Sequence, residues 1–256
     1  MGKVAILIPA YNASRIIEEV LNKIDRNIAG HVIVVNDGSN DLTQNILSKR
    51  KDIKLVNRNK NMGYGATSIT LYKEALGTDA DYFINVHADG AHNPGEIENI
   101  LKPLTAGDAD IVIGNRINGI MNQGLRFLGS RILGAAVFGP MPVYKFLANI
   151  VLTKLQNLCY GTNFHSFHCG FRGCSRKALQ LMPFDELTGW YQYDTEFLVK
   201  ANEMGLRIAE VPVSSCYSSK AGSKVPVIRY GMKVLLSAIK YRLQQINDRK
   251  QKISNR

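Results

Sequence analysis

The chain has 256 residues, 45% of them hydrophobic, and 32 Lys and Arg against 21 Asp and Glu give a formal net charge of +11. That much apolar material builds a sizeable core and excludes a wholly disordered chain, while the charge points to anionic partners such as nucleic acid, phosphorylated small molecules or an anionic membrane face. The cysteines Cys159, Cys169, Cys174 and Cys216 form no CxxC pair and follow no signal-peptide-like start, and no apolar stretch approaches the roughly 20 residues that span a bilayer. The expectation is a reduced, cytoplasmic protein, soluble or peripheral on the cytoplasmic face of a membrane.

Short apolar runs then alternate with helical periodicity. Val4–Ile8, Val32–Val35, Ile53–Val56, Tyr82–Val86 and Ile111–Ile113 read as buried strands, the βαβ pattern of a mainly parallel sheet covered on both faces. Asn12 or Ser14 caps a predicted helix through Ile16–Ile24, Asp41 caps one beginning at Leu42, and Pro94 stands in the first turn of a helix through Ile97–Leu101. After Asn115 the texture changes to glycines and basic residues up to Gly139, then to an amphipathic run over Val143–Leu158. A strand is predicted over Asn163–Arg172, helices near Ser175–Leu181 and Tyr191–Met204, a strand over Arg207–Val213, and a basic helix from Val225 to Asn247.

Three segments at strand ends carry chemistry. Pro9-Ala10-Tyr11-Asn12 follows the first strand and Asn36-Asp37-Gly38-Ser39-Asn40-Asp41 the second, so both fall on the sheet edge where open α/β sheets collect ligands. Backbone amides and the Asp37 carboxylate there can hold a nucleobase and ribose; ordinary strand-to-helix turns use the same residue types. His87-Ala88-Asp89 follows the fourth strand. One Asp with phosphate oxygens and waters is a workable Mg2+ site, and an imidazole at His87 moves the preference towards Mn2+. His87 can equally be a hydrogen-bonded residue at a strand end.

In order and spacing these segments, together with Gly114–Arg116, His168–Arg172 and Ala221–Lys224, make the chain resemble the family 2 glycosyltransferases of the GT-A fold, in particular the polyprenyl-phosphate transferases of the dolichyl-phosphate mannose synthase type. Their pattern runs Pro-x-Tyr-Asn, Asp-Asp-Gly-Ser, an Asp-x-Asp metal motif, Gly-x-Arg, Ser-Gly-[Phe/Tyr]-Arg and a late Gly-x-Ser-Lys. The resemblance implies an α/β, Rossmann-like GT-A domain over 1–220, with a nucleotide-sugar half over 1–116, an acceptor-side half over 117–220, and a basic amphipathic helix and tail over 221–256. It implies that Pro9, Tyr11, Val35 and Asp37 line the nucleotide pocket. His87, Ala88 and Asp89 would lie under the donor diphosphate, with a divalent cation, Mg2+ or Mn2+, on Asp89 and His87. Arg116 and Lys224 would meet phosphate groups and Arg172 would support the acceptor side, guanidinium gripping phosphate in a bidentate fork.

Several positions depart from the pattern. Ala13 stands where an acidic residue is usual, Asn36 and His87 replace the first Asp of two motifs, Ala91 lies two beyond Asp89, and Ser218 replaces an Arg whose charge Lys220 can restore only as a point charge.

The reaction implied is inverting transfer of a sugar from a nucleoside diphosphate sugar, GDP- or UDP-linked, to a polyprenyl phosphate. The leaving diphosphate would be stabilised by Asp89 with its cation, Lys224 and Arg116. A hydroxyl acceptor, soluble or on a glycan, needs a general base, for which Asp194 stands first and Glu196 second; an ionised phosphate acceptor needs none, and Asp194 is then a first-turn acid favoured by the helix dipole. His165–Cys174 contains imidazoles and thiols, but not at zinc-ligand spacing. The Tyr230–Arg242 run can lie in a membrane interface or near a membrane-protein partner, or simply pack on the domain. A nucleotide-sugar-binding pseudoenzyme accounts for His87, Asn36 and Ala91. The net charge alone suggests nucleic acid, but no nucleic-acid signature accompanies it and no such partner is expected.

Overall fold

The computed structural model describes residues 2–115, 143–190, 192–214, 231–232, 234–243 and 247, with the side chains of 143–148 left aside. Strands β1 (Val4–Ala10), β2 (Ala29–Asn36), β3 (Lys54–Asn57), β4 (Tyr82–Asn85) and β5 (Ile111–Asn115) alternate with helices α1 (Ile17–Asn22), α2 (Thr43–Ser48), α3 (Tyr64–Leu76) and α4 (Ile97–Thr105). Helix α5 (Val143–Tyr160), strand β6 (Arg172–Ser175), helices α6 (Arg176–Leu181) and α7 (Tyr193–Glu203) and strand β7 (Ile208–Pro212) follow. A last helical stretch covers 234–243.

The seven strands form one sheet in the order β3-β2-β1-β4-β6-β5-β7. Every neighbouring pair is parallel except those made by β6, which runs antiparallel to both β4 and β5. This is the mainly parallel sheet expected from the βαβ alternation, with the GT-A architecture that the family resemblance implies. Successive residues of a strand point to opposite faces, so Ile6, Ile8, Val32 and Val34 pack with α1 and α4 through Ile17, Leu21, Ile100 and Leu101. Their alternates Leu7, Ile33, Val35 and Phe83 pack on the other face with Leu71, Tyr72, Leu179 and Phe197.

Two local expectations are corrected. Asn163–Arg172 is not a strand; only its last residue enters β6, because Arg172 stands opposite Asn85, the last residue of β4, and beside β5 a single further bond, from the Gly114 amide to the Phe171 carbonyl, continues the pairing. Phe167, Cys169 and Phe171 are buried in alternation, which is why the run reads as a strand. Asn12 and Ser14 do not cap α1, whose first turn is preceded by Ile16 without a side-chain cap. Asp41 does accept from the Thr43 amide at the head of α2, and the Asn93 side chain caps the turn containing Pro94.

Candidate active site

Because β2, β1 and β4 are adjacent and parallel, their carboxyl ends deliver 11–14, 37–41 and 86–92 to one edge. The first two turns are laced together. The Asn12 amide donates to Ser39 Oγ at 2.9 Å, the Asn40 amide to Asn12 Oδ1 at 2.8 Å, the Ala13 amide to Thr43 Oγ1 at 2.8 Å and the Ser14 amide to Asp41 Oδ2 at 3.1 Å. Asn12 sits at φ 49°, a left-handed conformation that Asn tolerates. Burial tends to raise the Asp41 pKa, but hydrogen bonds from Thr43 and Ser14 outweigh it and hold the carboxyl at about 2.

Asp37 is only 3% exposed. Its Oδ1 accepts from Arg58 Nη1 and the Met62 amide, and its Oδ2 from the Gly63 amide, all at 3.0 Å. Gly63 has φ +95°, and a Cβ there would meet the Gly189 carbonyl oxygen at 2.7 Å, so only glycine serves at the head of α3. Asp37 therefore anchors the 58–63 loop, and its remaining capacity towards a ligand is one lone pair on Oδ2. Val35 and Ala88 are buried in the core, which limits both to backbone contact with a bound molecule in this conformation. Pro9 is half-buried and Tyr11 is 40% exposed at the same edge.

His87 and Asp89 are both partly exposed. Asp89 Oδ1 accepts from the Ala91 amide at 2.9 Å, leaving Oδ2. His87 Nε2 lies 3.2 Å from the Tyr64 hydroxyl, and the Tyr64 hydroxyl donates to Asp194 Oδ1 at 3.2 Å. Among the described residues no three His, Cys, Asp or Glu side chains converge as a metal cage. The donors that remain, Asp89 Oδ2 and the second ring nitrogen of His87, fit a divalent cation shared with substrate phosphates rather than one enclosed by protein.

Behind His87 lies a buried ion pair. Arg172, 1% exposed at the start of β6, places Nη2 3.1 Å from Asp194 Oδ1 in the first turn of α7. Burial opposes the charge of Arg172, but the adjacent Asp194 carboxylate together with Tyr72, Tyr64 and Cys174 outweighs it and raises the guanidinium pKa. Its Nε and Nη1 have no hydrogen-bond partner among the described residues, and the group lies over the Phe197 ring, 4.9 Å from the centroid. Burial pushes the phenols of Tyr64, Tyr72 and Tyr193 well above their ordinary value and the Cys174 thiol up to about 12. Glu196 Oε2 accepts from the Thr188 amide at 2.8 Å.

Thus the fold brings Asp194, expected as a base, and Arg172, expected on the acceptor side, into one buried pair. Arg116, Ser218, Lys220, Ala221 and Lys224 lie outside the described residues. The sequence reading missed Tyr64 and Arg58; the flanking Gly63 and Gly65 ahead of a helical run were the available signal for Tyr64. Zinc at His165–Cys174 is excluded as a Cys169, Cys174 site, because the two thiols are buried on opposite faces of the sheet.

The family model described as Glycosyl transferase family 2 matches residues 5–182, more than half of the chain. The chain belongs to glycosyltransferase family 2. A relative described as a UDP-N-acetylglucosamine–dolichyl-phosphate N-acetylglucosaminyltransferase of Methanococcus voltae is 25% identical over 259 residues, covering 95% of this chain and 97% of that one. A dolichyl-phosphate beta-glucosyltransferase of Trichomonas vaginalis is 29% identical, covering 81% of this chain and 62% of its own. The glucosyl-3-phosphoglycerate synthase of Mycobacterium tuberculosis, solved with Mn2+, UDP and glucosyl-3-phosphoglycerate, has the same fold with a TM-score of 0.62 at 17% identity, covering 94% of this chain and 80% of that one. No helix among the described residues is long and apolar enough to cross a membrane.

Proposed function

We propose that this family 2 glycosyltransferase moves a sugar, with inversion, from a nucleoside diphosphate sugar to a polyprenyl phosphate. The observation that carries the choice of acceptor is the commitment of Asp194. A hydroxyl acceptor needs a base to remove its proton, whereas this carboxylate is buried, at 8% exposure, and its Oδ1 already accepts from the buried Arg172 and from Tyr64. A phosphate acceptor is already anionic and needs no such base. The names of the Methanococcus and Trichomonas relatives support the same acceptor, and the UDP complex of the Mycobacterium fold relative supports a nucleotide-sugar donor.

In the reaction an acceptor phosphate oxygen attacks the anomeric carbon from the face opposite the diphosphate. A new C–O bond forms, the C–O bond to the diphosphate breaks, and its electron pair stays on the leaving phosphate oxygen. Tyr11 and Pro9 face the nucleotide at the edge made by β1, with Val35, Asp37 and Ala88 shaping its floor. Asp89 and His87 would hold a divalent cation, Mg2+ or Mn2+, which when bound supplies charge to the departing diphosphate. Arg116 and Lys224 are assigned to phosphate groups, and Arg172 holds the wall on the acceptor side through Asp194.

The last helix bears on how a lipid acceptor is met. Val234 and Ala238 are buried against the domain, whereas Met232, Leu236, Ile239 and Leu243 stay exposed at helical spacing beside Lys240 and Arg242. An aliphatic stripe edged by cations suits peripheral contact with an anionic membrane surface. The test is transfer from radiolabelled UDP- and GDP-sugars to a polyprenyl phosphate in detergent, with Asp89→Ala as control. Wild-type product lost in the variant supports the proposal; product formed only on hydroxyl acceptors refutes the acceptor, and donor binding with no transfer to either class refutes catalysis.

A further inference from the structure

We infer that Tyr64, backed by the Asp194–Arg172 pair, is a positioning residue that fixes the tautomer of His87, with the proton on Nε2 and the lone pair on Nδ1. The inference rests on the proposed role of the His87–Asp89 edge for its use, but not for its geometry. Arg172 is a buried guanidinium with no acceptor capacity, and the carboxylate it pairs with is an acceptor only. The Tyr64 hydroxyl has one proton, which Asp194 Oδ1 takes. Its oxygen can then only accept from the second neighbour, so the proton of that hydrogen bond comes from His87 Nε2.

Steric packing bears on which nitrogen is open to a ligand. Nε2 faces Gly170, where an added Cβ would lie 1.9 Å away, and it already meets the Tyr64 hydroxyl at 3.2 Å, so it is the crowded nitrogen of the ring. The imidazole is further held edge-on by Tyr64 and by His92, with ring centroids 5.4 Å away in each case, and His92 in turn stacks on Phe171 at 5.2 Å. Nδ1 is the ring nitrogen left for chemistry. A neutral imidazole nitrogen ligates Mn2+ more readily than Mg2+, and a hydrogen bond on the far ring nitrogen makes it a better ligand. The chain Arg172, Asp194, Tyr64, His87 thereby gives the site a nitrogen ligand in place of the carboxylate usual at that position, and with it a bias towards Mn2+.

The experiment needs neither donor nor acceptor. Full-length protein labelled with 15N-histidine reports each imidazole by NMR, and His87→Gln identifies the His87 signals among the five histidines. The expected spectrum shows a pyrrole-type Nε2 and a pyridine-type Nδ1 for His87, and Mn2+ alone broadens the His87 signals at concentrations where His31 and His165 are unaffected. In Tyr64→Phe, which keeps the ring, the two His87 tautomers mix and Mn2+ affinity falls about tenfold, as when the outer partner of a ligating histidine is lost, while Mg2+ affinity is unchanged. A proton on Nδ1 in the wild type, or a His87 spectrum and Mn2+ affinity indifferent to Tyr64→Phe, overturns the inference and leaves the proposed transfer untouched. Failure of every acceptor in the transfer assay, with this spectrum present, overturns the proposed function and leaves the tautomer standing.

Discussion

Gly170 leaves room for His87: a methyl group added at residue 170 would stand 1.9 Å from the imidazole Nε2. The glycine just before Phe171 and Arg172 is thus tied to the strand end of β4 by the ring it accommodates. Gly170→Ala is expected to displace His87 and break its contact with Tyr64, at an overpacking cost of about 1 to 3 kcal/mol. Urea denaturation checks the stability. Mn2+-dependent transfer should fall more steeply than transfer in the presence of Mg2+; an unchanged metal preference would sink the assignment.

Asp37 links three donors of a loop that follows β3. Asp37→Ala leaves Arg58 Nη1 and the Met62 and Gly63 amides without their acceptor. Arg58 is half-buried and keeps Thr67, Thr70 and the Ala66 carbonyl as partners, so the loss is that of unsatisfied donors, about 1 to 3 kcal/mol. The expected result is a lower urea midpoint together with faster proteolysis between residues 58 and 63. Full stability with loss of nucleotide binding would instead mark Asp37 as purely a ligand contact.

Asp194→Asn separates a counter-ion from a base. The variant keeps the size of the side chain but leaves the Arg172 charge buried without its partner, so the urea midpoint should drop by an amount equivalent to about 3 kcal/mol. Transfer to polyprenyl phosphate should decline much less than the roughly 10²- to 10⁴-fold that loss of a general base produces. A large fall in kcat with unchanged stability would restore the base.

Asp41 predicts a pH dependence of defined sign. Its carboxyl is held at about 2, below the ordinary value of 3.8, so the folded state binds this proton less readily than the unfolded chain. The stabilisation is complete above about pH 4, and falls away as the pH drops towards 2. The difference in urea midpoint between wild type and Asp41→Asn should therefore be greatest at pH 5 and shrink towards pH 2. A difference that grows on acidification contradicts the hydrogen-bonded carboxylate.

Local pattern determined much of this protein. The apolar runs at Val4–Ile8, Val32–Val35, Tyr82–Val86 and Ile111–Ile113 mark strands, and helical spacing between them implies crossovers, so a mainly parallel sheet with its polar turns gathered at one edge follows from neighbours in the chain. Tertiary structure alone decided what the polar residues of those turns do. The Arg58 partner of Asp37 lies 21 residues away and the Tyr64 partner of Asp194 lies 130 residues away. A hydrogen bond depends on atoms meeting at about 3 Å, which residue spacing at such separations does not encode. The same holds for β6, whose place between β4 and β5 turns Phe167–Phe171 from an apparent strand into a buried approach to Arg172. Chain order thus pointed to the sheet edge where the chemistry is proposed, and packing across the sheet decided which of its polar side chains are already engaged with one another.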